Sequence, residues 1–266
     1  MASFGVYRRL IGAQIRSQLT YRVSFLMSCV GDALAQATEL VAILAIFSRV
    51  TDLGGFSREE VLLMYALAST SFGLADLAVG QLDRLPQYLR TGKFDSLLIR
   101  PLGSLGQLMV SDFQLRRLGR ICLGIGILAY VVSTVDIQWG WHTALLLVIS
   151  PIAGAVLMSA VWVMAASLCF WLIEGAELTN GLTYGGHFLA SYPITIYPAW
   201  LRTALAFVVP AAFIAYFPAL ALLGKPDPLG TPAFLGWISP VVAALALGLA
   251  ALVWRAAVRH YRGTGS

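Results

Sequence analysis

Six stretches along the chain are apolar enough to dominate the pattern of hydrophobic and polar positions, near residues 23–48, 61–80, 121–135, 144–173, 176–191 and 233–254. A helix of about 20 apolar residues crosses the hydrocarbon core of a bilayer, so each stretch predicts a membrane span. The third is short and borrows from its flanks. The fifth carries Glu177, Asn180 and His187 and is the weakest. Ahead of the first span, Phe4, Ile11, Ile15 and Leu19 recur at helical spacing with Arg8, Arg9 and Arg16 between them. That pattern predicts an amphipathic helix over 1–22 lying in the membrane interface. Ser57 and Glu60 form a capping-box signature that starts the second span.

Two other segments break the pattern. Residues 83–120 form a polar island holding Arg84, Arg90, Lys93, Arg100, Arg116, Arg117 and Arg120. Within it, Gly92 precedes Lys93-Phe94-Asp95-Ser96-Leu97-Leu98-Ile99, closed by Arg100-Pro101, which predicts a short amphipathic helix with its own start and stop. Phe94, Leu97 and Leu98 are its expected anchors on a partner, with Asp95 and Arg100 as orienting charges. Residues 192–230 are apolar, but Pro193, Pro198, Pro210 and Pro218 cut them into pieces too short to span. The expected solution is a helical hairpin that dips into the outer leaflet and returns.

Composition agrees with this reading and narrows it. The chain is 59% hydrophobic and only 12% charged, with a mean hydropathy of +0.79. A soluble domain carries about a quarter charged residues. The basic residues cluster beside apolar spans, so orientation in a membrane explains the high pI better than nucleic acid does. With both termini and 83–120 on the cytoplasmic side, 14 basic residues lie inside and four (Arg49, Arg58, Arg202 and Lys225) outside. The positive-inside rule favours that topology, and both termini inside require an even number of crossings. The expectation is one all-α membrane domain over 1–266 with six spans and no cleaved signal peptide.

Candidate chemistry is sparse. Cys29, Cys122 and Cys169 sit in apolar stretches without metal-ligand spacing and are expected to be buried small hydrophobes. Neither Gly92-Lys93 nor Gly224-Lys225 completes a phosphate-binding loop, so a nucleotide-driven function needs a second chain for hydrolysis. Ser28, Asp32, Gln36 and Glu39 share one face of the first span, while Ser69, Gly73, Asp76 and Gly80 do so on the second. A carboxylate at bilayer depth must face protein, water or a counter-charge. Asp32, Gln36, Glu39 and Asp76 therefore either line a route for a polar or cationic substrate or make a structural helix contact. His187 is expected to be a hydrogen-bonded packing residue.

The layout resembles the permease subunits of type-2 ABC transporters, within them the small six-span branch described as viologen or multidrug exporter permeases. The resemblance rests on Gly92 to Pro101, on Arg116-Arg117-Leu118-Gly119-Arg120, on Tyr192-Pro193 with Pro210 and Tyr216-Phe217-Pro218, and on Tyr261 to Ser266. It implies that Gly92, Lys93, Phe94, Asp95, Leu97, Leu98 and Arg100 form a coupling helix. It also implies that Pro193, Pro210 and Pro218 shape a re-entrant hairpin. The implied assembly has two permeases, identical or sibling, and two ATPase subunits that hold ATP and Mg, in a bacterial plasma membrane. This chain itself would bind no cofactor and act on no nucleic acid. The competing classes are a secondary transporter and a lipid-modifying membrane enzyme. The first would show paired broken helices in two repeated halves, whereas the proline-broken segment here is single, and the second would place an acidic or histidine cluster at one membrane face, where this sequence has none.

Overall fold

The computed structural model describes residues 2–20, 22–111, 113–172 and 175–261. Twelve α-helices follow one another among them, with short 3-10 turns and one π turn (Ala204–Val208) between: α1 (Ala2–Thr20), α2 (Arg22–Phe47), α3 (Arg58–Val79), α4 (Leu85–Arg90), α5 (Lys93–Leu98), α6 (Ser104–Ser111), α7 (Leu118–Thr134), α8 (Trp141–Ser167), α9 (Gly175–Ala190), α10 (Ala199–Thr203), α11 (Tyr216–Leu223) and α12 (Ser239–His260). The only β pairing among them is the isolated bridge Leu53–Phe56. The protein is an all-α integral membrane protein.

α3 is the axis of the body. Both halves of its capping box are formed, with the Ser57 side chain accepting from the Glu60 N–H and Glu60 accepting from the Ser57 N–H. Residues 61 to 73 are then buried without a break. α7 and α8 pack along α3, and α12 packs along α8. The α3–α7 crossing depends on reciprocal glycines. A Cβ on Gly73 would stand 3.0 Å from Ile121 Cγ1, and one on Gly124 would stand 2.8 Å from Thr70 Oγ1. Neither position has room for a methyl group without pushing the helices apart.

All six predicted spans appear as helices, with shifted ends. Four helical runs are long and apolar enough to cross a membrane: 23–47, 58–90, 141–170 and 239–260. α7 and α9, at 17 and 16 residues, are shorter. The sixth span was expected from residue 233, but residues 233–236 form a 3-10 turn. α12 begins only at Ser239, with Pro240 in its first turn, where the missing N–H costs no hydrogen bond. The island at 83–120 is less loop-like than its polarity implies. Helical structure continues from α3 through a 3-10 turn at Gly80–Arg84 into α4 as far as Arg90, because Pro86 falls in the first turn of α4, where proline is tolerated. The end of the fourth predicted span at 173, and the C-terminal run 262–266, lie outside the described residues.

Candidate functional site: the seated short helix and the membrane carboxylates

Gly92 has φ 67°, a left-handed conformation that costs glycine nothing and reverses the chain between α4 and α5. The turn throws Phe94 and Leu97, three residues apart, onto the inner face of α5. Phe94 is 0% exposed. Its ring meets Phe170 edge-on at 5.2 Å and Tyr261 at 5.1 Å, and Phe170 in turn meets Trp254 at 5.6 Å. The C-terminal end of α5 is pinned by buried Gln107, whose Nε2 donates to the carbonyls of Leu97 and Leu102 at 2.8 Å each. Burial and the nearby Asp95 carboxylate raise the pKa of the Tyr261 phenol, which keeps it protonated in this aromatic box.

Phe94 and Leu97, expected to anchor a partner, are therefore occupied within the chain and hold α5 onto the ends of α8 and α12. An aromatic ring buried against two others gains more than one left in water. The outward face consists of Lys93, Asp95, Ser96, Leu98, Ile99 and Arg100, all exposed. Ile99, 85% exposed, is its most prominent apolar residue, and sequence reasoning had given it no role.

Each membrane carboxylate meets its own cation or histidine. Asp32 faces Arg116, whose Nη1 lies 3.1 and 3.2 Å from the two carboxylate oxygens, while Arg116 Nε donates to Gln114 Oε1 at 2.8 Å. Asp76 Oδ1 lies 3.3 Å from Arg117 Nε, and Arg117 Nη1 also donates to the Asp76 carbonyl and to Gln81 Oε1. Glu39 Oε2 lies 3.5 Å from His187 Nε2, with the His187 ring stacked on Phe72 at 4.4 Å. Gln36 is buried, and its backbone carbonyl accepts from the Tyr65 hydroxyl at 3.1 Å. Asp32, Glu39 and Asp76 thus form three separate pairs between helices instead of one shared lining.

Arg116 and Arg117 had been counted only as cytoplasmic loop charges. Asp83 was missed as well: its carboxylate accepts from Trp162 Nε1 at 2.8 Å and from the Tyr184 hydroxyl at 3.1 Å, tying α8 to α9. Its seven-residue spacing from Asp76 on a continuous helical run was the available signal. Among the described residues, no group of three His, Cys, Asp or Glu side chains is placed to hold a metal.

At the other end of α3, the loop 53–60 receives both ends of the proline-cut segment. Thr195 Oγ1 donates to the Gly54 carbonyl at 2.9 Å. Lys225 Nζ donates to the Gly55 carbonyl at 2.8 Å and to both Glu60 oxygens, and it lies 4.7 Å from the centre of the Phe56 ring. Between these ties the helical pieces 199–207 and 211–223 meet at a 67° bend around Pro210. Pro193 precedes a 3-10 turn at Ile194–Ile196. Pro218 falls in the first turn of α11, where proline is tolerated.

Most of these helices fall within the match to one known family. The model of the ABC-2 family transporter proteins matches residues 33–265, from within α2 to beyond α12. The chain belongs to that family. No curated protein and no solved structure matches it. An ABC-2 permease is the multi-pass membrane component of an ABC transporter; it works with an ATPase and does not itself catalyse hydrolysis. In this ABC-2 permease the outward face of α5 is a partly apolar surface within the polar island 83–120.

Proposed function

We propose that this ABC-2 permease is the membrane half of an ATP-driven exporter in a bacterial plasma membrane, moving a hydrophobic, cationic substrate outward. It crosses six times with α2, α3, α7, α8, α9 and α12, keeps both termini and 83–120 in the cytoplasm, and pairs with a second permease. Two ATPase subunits bind ATP and Mg, and α5 is the element they push. The observation that carries this reading is the exposed Leu98–Ile99 edge on a helix whose other face is locked into the body. A short helix held in this way transmits a push without absorbing it in its own rearrangement.

The re-entrant course of 192–230 is supported by the attachment of both its ends to the one loop 53–60. Arg202→Cys and Lys225→Cys are both expected to react with a membrane-impermeant maleimide added outside intact cells. Labelling of either only after the membrane is opened would place it on the cytoplasmic side and break the even span count.

The cationic preference rests on Glu39. Asp32 and Asp76 face arginines, whereas Glu39, about a third exposed, faces a histidine that is charged only when protonated. An incompletely neutralised carboxylate at membrane depth offsets part of the desolvation of a lipophilic cation. In proteoliposomes of the complete transporter, Glu39→Gln is expected to lower stimulation of ATP hydrolysis by lipophilic cations at least fivefold. Basal hydrolysis and stimulation by neutral amphiphiles should persist. Equal loss for both substrate classes would make Glu39 a packing residue and remove the cationic preference.

A further inference from the structure

Between α1 and α2 the body has a cup of about 340 Å³, lined by Gln14, Ser17, Gln18, Ser24, Ser28 and Arg116 and by the apolar ring of Phe25. Such a lining is unusual on a chain this apolar, and its walls are fixed. Gln14 Nε2 donates to the Ser111 carbonyl at 2.9 Å, Gln18 Nε2 donates to the Phe113 carbonyl, and the Leu115 N–H donates to Gln18 Oε1 at 2.9 Å. Arg116 is held by Asp32 and Gln114, so its guanidinium is oriented before any ligand arrives.

An apolar wall stands directly beside the cup. Val23, Met27, Val30 and Leu34 recur at i, i+4, i+7 and i+11 on α2 and are all exposed. They are one residue, or about 100° of helix, away from Ser24 and Ser28. Residues 1–31 of the sequence carry Arg8, Arg9, Arg16 and Arg22 and no acidic residue, and the Asp32 that follows is paired with Arg116. A hydroxyl- and guanidinium-lined cup beside an exposed apolar stripe matches an amphiphile with an anionic head.

We propose that the cup binds the phosphate headgroup of an anionic phospholipid from the cytoplasmic leaflet, with the acyl chains lying along Val23, Met27, Val30 and Leu34. The leaflet assignment rests on the orientation proposed above; the binding chemistry does not. The Ser17 and Ser24 hydroxyls and an oriented guanidinium satisfy phosphate oxygens, and Arg16 on α1 adds long-range attraction that salt weakens. The lipid would tie α1 to the first span and to the turn at 113–116.

The test is native mass spectrometry of the purified full chain in detergent, titrated separately with phosphatidylglycerol, phosphatidylcholine and inorganic phosphate. One phosphatidylglycerol per chain should bind at least tenfold more tightly than phosphatidylcholine, and inorganic phosphate should not compete at equal concentration. Ser24→Leu and Ser17→Leu fill the cup without touching the Asp32–Arg116 pair, and each should weaken phosphatidylglycerol at least tenfold. Undiminished binding in the variants would overturn the site, and equal binding of phosphatidylcholine would overturn its anionic preference. Effective competition by inorganic phosphate would make it an ion site instead of a lipid site. These readings are made in detergent, so they are independent of the cysteine labelling that tests orientation.

Discussion

Arg117→Met should cost the folded permease about 3–5 kcal/mol, the loss typical of a buried ion pair with one partner removed. The change strands Asp76, a buried carboxylate on the central helix that would keep no full positive charge in direct contact. The damage comes from the orphaned charge more than from the lost attraction, so a second substitution should repair it. Asp76→Leu on the Arg117→Met background should recover most of the stability, because matched apolar groups replace a buried pair at little cost. Thermal unfolding in detergent, followed by size-exclusion fluorescence, reads both steps. A double variant no better than Arg117→Met would mean that Arg117 acts through Gln81 and the Asp76 carbonyl instead.

The second large effect separates the two faces of α5. Leu98→Asp with Ile99→Asp should reduce co-purification of the ATPase at least tenfold while leaving yield and unfolding temperature of the permease unchanged. Both side chains are exposed, and a buried apolar contact at an interface centre contributes about 2 kcal/mol or more. Phe94→Asp should instead lower the stability of the permease itself, since it places a carboxylate among Phe170 and Tyr261. If the outward pair leaves the ATPase bound and Phe94→Asp releases it from a permease of normal stability, the inner face is the docking surface. The helix would then have to swing out of its seat to meet the partner.

Much of this architecture was legible because lipid leaves the chain few options. Apolar length located the helices, and Ser57 with Glu60 announced the start of α3 through a local bond that depends on nothing distant. The direction α5 faces was not legible. Phe94, Leu97 and Leu98 look equivalent along six residues of helix, and only Phe170, Trp254 and Tyr261, more than 70 residues away, decide which of them are covered. Arg116 and Arg117 misled for a related reason. At the mouth of a span a basic residue obeys the positive-inside rule whether it faces headgroups or a neighbouring carboxylate, and the spacing that distinguishes the two lies on other helices. Of the three carboxylate pairs, each joins residues at least 41 positions apart, beyond any pattern read in a single window. The break at Pro210 was foreseeable from proline chemistry, whereas the attachment of both ends of the segment to one loop depended on Thr195 and Lys225 finding neighbouring carbonyls.

Glu60 closes the capping box of α3 and also accepts from Lys225 at the far end of the proline-cut segment. The helical run that holds it extends from Arg58 to Arg90, 33 residues and roughly 50 Å at the helical rise. Its lower end stands one short turn from α5. In the orientation proposed above, the molecule therefore contains a push-rod with one end beside the helix proposed to meet the ATPase and the other bolted to the proline-cut segment. A tilt imposed below has no intervening loop in which to dissipate, so the outer segment should move in the same stroke as the cytoplasmic one, without a lag set by a separate gate.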